Sequence, residues 1–254
     1  DVPVSPDFEF QYYLRNLSDD VVQVLLSRKE RKTKTIVVKA KCQSYWSIRD
    51  LLYKEWVEGN RRIVDSLSNG SFAYIHIRGM GDWNYMEFEK DIYENRNKKG
   101  LILDIRYNGG GHIHDELLNF LRRTTYLVEK ERDGEYEYNS LFRWDKPIVL
   151  LINQYCFSDA EIFPAGFKRL RLGKVVGVPT FGGVIGTTDY TLFDGKTVFR
   201  EPHEGWYFDP KGRSLENTPI EPDIYVEDQI FEDNYSGSTQ LRRAVQVLRE
   251  MVGD

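Results

Sequence analysis

Cysteine is almost missing from this 254-residue chain: there are two, Cys42 and Cys156, beside four histidines. Two thiols so far apart form neither a disulfide framework nor a zinc cluster. They favour a reducing, cytoplasmic compartment over the periplasm. No apolar run approaches the ~20 residues that a membrane span needs. The opening DVPVSPDFEF is acidic and lacks the apolar centre of a secretory leader. Basic excess is missing as well. The formal net charge is −5, with 35 Lys and Arg against 40 Asp and Glu, which leaves no electrostatic footprint for nucleic acid. Internal repeats and low-complexity tracts are not seen. The dinucleotide fingerprint G-x-G-x-x-G and the nucleophile elbow G-x-S-x-G are absent too.

What remains is an ordinary core-forming composition, 41% hydrophobic and 30% charged. Residues 8–20 read as a short helix and turn. Residues 21–29 and 34–42 alternate as two strands of a hairpin. Apolar residues at helical spacing predict a helix over 47–67. From residue 71 the pattern becomes strand, helix, strand. Strands are expected at 72–80, 100–108, 147–153 and 174–180, and helices at 83–99, 112–123 and from Ser158 onward. Asp194-Gly195 marks the turn of a hairpin over 189–201, and an amphipathic helix closes the chain. The charged, tyrosine-rich stretch 124–146 carries no assigned element. The alternation defines an α/β domain with a mostly parallel sheet.

Two strand ends carry the candidate chemistry. In LILDIRYNGGGH, three glycines follow a buried strand and open a helix. There the backbone N–H groups can approach an anion closely; a plain tight turn explains the same letters. In NQYCFSDAEIF, Ser158 sits between strand and helix. It fits an N-cap, and with Glu161 the S-x-x-E capping box. It equally fits a nucleophile whose following N–H, that of Asp159, points at a developing oxyanion. Position alone does not separate these readings. Cys156 reads as buried. A serine nucleophile needs a base, usually histidine. His76 falls in a strand, His112 and His114 follow the glycines, and His203 lies in a loop.

Four segments, GLILDIRYNGGG, INQYCFSDAEIF, VVGVPTFGG and ENTPIEPDIYVE, occur in the order found in the tail-specific (C-terminal processing) serine peptidases. The chain most resembles the tricorn type over residues 8 to 228. The resemblance implies a crotonase-like (ClpP/crotonase) spiral α/β sheet, mostly parallel. It divides the chain into a partial PDZ-like element at 1–43, a helical connection at 44–70 and a catalytic domain at 71–254. It places Ser158 on the nucleophile. The N–H groups of Asp159 and of Gly111, or its neighbour Gly110, fall on the oxyanion hole, and Glu216 on the acid of a catalytic tetrad. Glu129, with Glu131 and Asp133 as rivals, falls near an acid that selects basic P1 side chains. No metal or organic cofactor is implied. Unfolded peptides are the implied substrates, and a homo-oligomer the implied assembly.

Two departures bear on mechanism. Lysine-type members carry a general-base lysine after TFG, where this chain has Gly183. Tricorn-type members take the base from a histidine upstream of the PDZ-like region, and this chain opens inside that region. The expectation is a catalytic half whose base histidine comes from an upstream segment or another chain. Two alternatives stand beside it: an inactive peptide-binding scaffold of the same fold, and an enzyme that uses His112 or His114 as its own base.

Overall fold

The computed structural model describes residues 10–14, 17, 19–28, 34–140, 142–229 and 238–253. The chain divides into two compact units, residues 1–57 and 58–254. The first holds a short helix, α1 (Phe10–Tyr13), and an antiparallel ribbon of β1 (Val21–Arg28) and β2 (Lys34–Lys41). This is the hairpin that the alternation predicts; its turn at 29–33 lies outside the described residues. The division falls within α2 (Tyr45–Ser68). The buried positions of α2 are Asn60, Val64 and Ser68, spaced by four and therefore on one stripe.

The second unit runs β3 (Phe72–His76), α3 (Asp82–Glu94), β4 (Gly100–Asp104), α4 (His114–Leu121), then a hairpin of β5 (Leu127–Lys130) and β6 (Tyr136–Asn139). It continues with β7 (Ile148–Ile152), α5 (Asp159–Arg169), β8 (Lys174–Gly177), the hairpin β9 (Ile185–Thr191) and β10 (Val198–Gly205), β11 (Ile224–Tyr225) and α6 (Thr239–Val252). Five strands form one sheet in the order β11-β8-β7-β4-β3, and every pair is parallel. The α/β architecture with a parallel central sheet is therefore as expected.

The apolar strand runs follow from burial on both faces. Ala73, Ile75, Leu101, Leu103, Ile148, Leu150 and Val175 share one core with Phe88 and Ile92 of α3, Leu117 and Phe120 of α4, and Phe163 and Phe167 of α5. The alternate positions, Phe72, Ile102, Val149, Leu151 and Val176, are equally buried and point to the other face. Helix α6 packs on β4, β7 and β8. Its Leu248 comes so close that a Cβ on Gly100 would lie 2.9 Å from it.

Several boundaries differ from the sequence expectation: α3 ends at Glu94, β8 at Gly177, and the hairpin widens to 185–205. Strands β3 and β4 end at His76 and Asp104, where the chain leaves the sheet to build the loops described below. Helix α4 starts at His114 rather than 112, because the His112 amide donates to Met80 O at 2.7 Å in a bridge between Met80 and Gly111. The stretch 124–146 contains the exposed hairpin β5–β6.

Just past β4 lies a buried ion pair. Arg106 Nη2 stands 2.7 Å from Asp104 Oδ2, with both side chains at or below 2% exposure. Burial opposes the charge on Asp104, but the Arg106 guanidinium overrides it and holds the carboxyl below its ordinary value. Tyr74 donates to Asp104 (2.8 Å), and Arg106 Nη1 donates to Ser238 Oγ (2.9 Å) and Gln240 Oε1 (3.2 Å). The DIR tripeptide thus ties the root of the glycine loop to the start of α6. A buried pair of this kind contributes rigidity more surely than stability.

Candidate active site

The site forms at the carboxyl ends of β4, β7 and β8, which is where open parallel sheets bind ligands. Three loops meet there: the glycines after β4, the turn into α5 after β7, and residues 178–184 after β8.

Ser158 is the N-cap of α5 and is half-buried. Its backbone sits at φ 57° and ψ −121°, a region that non-glycine residues avoid and that clusters at functional sites. Glu161 Oε1 accepts from the Ser158 N–H at 3.2 Å, the glutamate half of a capping box. The Glu161 amide bonds the Ser158 carbonyl at 2.8 Å, and the Ser158 side chain makes no capping hydrogen bond. The Glu161 amide is thus met by the Ser158 carbonyl, the backbone bond that opens the helix.

The glycine loop packs directly on this turn. Gly110, at φ 97°, would place a Cβ 2.8 Å from Ser158 Cβ and 3.0 Å from Asp159 N; any side chain would push the loops apart. Buried Asn108 organises the contact. Its carbonyl accepts from Phe157 N (3.1 Å), its Nδ2 donates to Ile77 O (2.9 Å), and its Oδ1 accepts from Gly110 N (2.9 Å). The Gly110 amide is therefore engaged. The amides of Gly111 and Asp159 donate to no described residue. Of the two glycines, Gly110 is thus the one whose amide is bonded.

The third loop is held by Glu161, which is fully buried and, among the described residues, hydrogen-bonds no cation. Its Oε2 accepts from Thr180 Oγ1 (2.6 Å) and Gly182 N (2.5 Å), and its Oε1 from Gly183 N (2.8 Å). Gly183 O in turn accepts from Ser158 N at 3.1 Å. Glu216 joins the same loop: its Oε2 accepts from Val184 N at 2.5 Å, and Asn217 N donates to Gly182 O at 2.8 Å. Gly110, next to Gly111, thus packs on Ser158 and Asp159, and the 182–184 loop links Ser158 to Glu216. A Cβ at Gly183 would fall 2.4 Å from the exposed Phe157 ring, so a side chain there requires that ring to move.

Other candidates separate out. Glu129 lies on the exposed β5–β6 hairpin, opposite Glu137, and shares no hydrogen bond with the residues above. Cys156 is fully buried, its Sγ donates to Ile105 O at 3.1 Å, and burial pushes its thiol up to about 12. His76 bonds Arg106 O (2.9 Å), His112 bonds Asp82 (3.0 Å), and His203 lies beside Thr188 (3.3 Å). His114 Nδ1 pairs with the Asp159 carboxylate. Among the described residues, no histidine hydrogen-bonds Ser158.

That hydrogen bond to Asp159 raises the His114 pKa above 6.5; burial opposes it, and the nearby Asp159, Asp115 and Glu116 charges add to it. A raised value means stabilisation that is complete below 6.5 and is lost as pH rises through the folded value. The melting-temperature gap between wild type and His114→Ala should therefore be widest near about pH 6 and shrink toward about pH 9. A gap that is constant or widens with pH contradicts this.

The sequence missed Asn108, the reach of Glu161 and the carboxylate of Asp159. Asn before a glycine run after a strand is a turn signal that marks the first. The others depend on partners many residues away.

The α/β sheet thus carries a serine on a strained strand-to-helix turn, next to a glycine loop. The chain belongs to Peptidase family S41, whose model matches residues 71–226. It is 34% identical over 201 residues to the tricorn protease of Thermoplasma volcanium, and 37% identical over 183 residues to that of Thermoplasma acidophilum. These alignments cover 79% and 70% of this chain, and 19% and 17% of the two relatives. The chain thus spans less than a fifth of their length. The crystal structure of the tricorn protease superposes with a TM-score of 0.79 at 30% identity, covering 96% of this chain and 23% of that one.

Proposed function

We propose that this chain carries the nucleophile and oxyanion hole of a serine peptidase acting on unfolded peptides or oligopeptides. The single observation that carries the reading is the pairing of a strained, half-buried Ser158 with the two unpaired amides of Gly111 and Asp159. Ser158 Oγ attacks the scissile carbonyl. The Gly111 and Asp159 N–H groups receive the tetrahedral oxyanion, each donor being worth ~3 kcal/mol of transition-state stabilisation. A histidine from beyond the described residues, in an upstream segment or a partner copy, takes the Ser158 proton. Glu216, held on the loop that touches Ser158, orients that histidine.

Glu129 and Glu137 oppose each other across the hairpin. Like charges in that register repel and make a local acidic spot. Such a spot suits a Lys or Arg side chain of the substrate, and the family resemblance gives Glu129 the role of P1 selector. The same reading includes the crotonase-like sheet, a PDZ-like element over 1–43, a helical connection over 44–70, the catalytic domain over 71–254, and assembly into a homo-oligomer. No helix among the described residues is long and apolar enough to cross a membrane.

The test is a panel of unstructured peptides incubated with the intact protein, with cleavage sites mapped by mass spectrometry. The reading predicts cuts after Lys and Arg that vanish in Ser158→Ala, and a preference that falls about tenfold in Glu129→Ala. Peptide binding without any cleavage would favour the inactive scaffold instead.

A further inference from the structure

The carboxylate of Asp159 is 2% exposed and faces away from bulk water. Its Oδ2 accepts from Ile113 N at 2.8 Å and His114 N at 3.1 Å, and its Oδ1 meets His114 Nδ1. Those two amides are N-terminal donors of α4, where the N-cap residue Ile113 has no side-chain cap of its own. A helix start with an apolar cap leaves its first amides without partners. Asp159 supplies the acceptor from a different helix, 46 residues along the chain.

The consequence concerns geometry at Ser158. The backbone of Asp159 follows the serine, while its side chain grips the chain two residues after Gly111. Asn108 fixes the near end of the same loop through Gly110 N and Phe157 N. The far end is held at two points, by Met80 O on the His112 amide and by Asp159 on the Ile113 and His114 amides. We propose that the Asp159 carboxylate is a positioning residue for the oxyanion hole: it sets the Gly111 amide relative to its own amide by clamping Ile113 and His114. This rests on the reading of Ser158 as nucleophile. A displacement of about 1 Å in such a donor is enough to lower a rate by about 100-fold.

The test uses a fluorophosphonate and a peptide substrate on the intact protein, comparing wild type, Asp159→Ala and Asp159→Asn. Asp159→Ala removes the clamp and should slow Ser158 phosphonylation and kcat by about 100-fold, the size of one lost donor, with KM changed less than about threefold. Asp159→Asn keeps one oxygen for both amides and should recover to within about tenfold of wild type. An ordinary helix cap would lower the melting temperature in both variants and leave kcat alone. A wild-type rate in folded Asp159→Ala, or a loss confined to KM, overturns the proposal. If Asp159→Ala does not fold, amide exchange at Ile113 and His114 in Asp159→Asn is compared with its phosphonylation rate. Faster exchange with a slower rate supports the clamp, and faster exchange with an unchanged rate overturns it. A wild-type protein whose Ser158 never reacts sinks the nucleophile reading itself, a result distinct from either.

Discussion

Ser158→Ala is expected to lower kcat by about 10⁴-fold or more while moving the melting temperature by less than about 1 °C. The two numbers together decide between the roles this serine fits. An N-cap serine contributes about 1 kcal/mol through its hydroxyl, or about 3 °C in a chain of this size. The Ser158 hydroxyl makes no capping hydrogen bond, so its removal should leave stability unchanged. Ser158→Gly adds a second arm. At φ 57° glycine is at ease where serine and alanine are strained. That variant should be as inactive as Ser158→Ala yet melt about 3 °C higher. Thermal melts beside peptide hydrolysis check both. A fall of several degrees in Ser158→Ala with activity retained would return Ser158 to the role of a cap.

Glu161→Ala should have the largest effect on the fold. The carboxylate accepts from Thr180 Oγ1, Gly182 N and Gly183 N, all inside or at the edge of the protein. Each donor left without a partner in a buried setting costs about 1–3 kcal/mol, so the three together amount to about 3–9 kcal/mol. Unfolding in denaturant at constant slope measures this. Glu161→Gln tests the charge: its amide must aim one N–H₂ at groups that are themselves donors. It should recover less than half of the loss. Both variants should also reduce activity, because the loop that loses its anchor accepts the Ser158 amide through Gly183 O and holds Glu216 through Val184 N. A Glu161→Ala protein that is as stable as wild type would mean that the 180–184 loop is held by its other contacts.

Much of this was legible in the letters because it is local. Apolar runs of five to seven residues bounded by turn residues identify β3, β4, β7 and β8, since a strand covered on both faces needs no alternation. The strand-to-helix junctions at GGG and at Ser158 are likewise visible. The capping-box reading of Ser158 and Glu161 found the right pair and missed what Glu161 does, because its main partners lie 19 to 22 residues away in the next loop. Asp159 was legible as a backbone donor only; its side-chain partners are on α4. The β5–β6 hairpin escaped because both of its faces are exposed. A strand that buries neither face has no period-two pattern to show. Helix α4 was begun two residues early because a single bridge to Met80 claims His112.

The most direct test of the central claim is intact mass after fluorophosphonate treatment of the intact protein, run beside Ser158→Ala. The account predicts one adduct, mapped to Ser158 and absent from the variant. An adduct that persists in Ser158→Ala, or none on a folded protein that also cleaves no peptide, would contradict it.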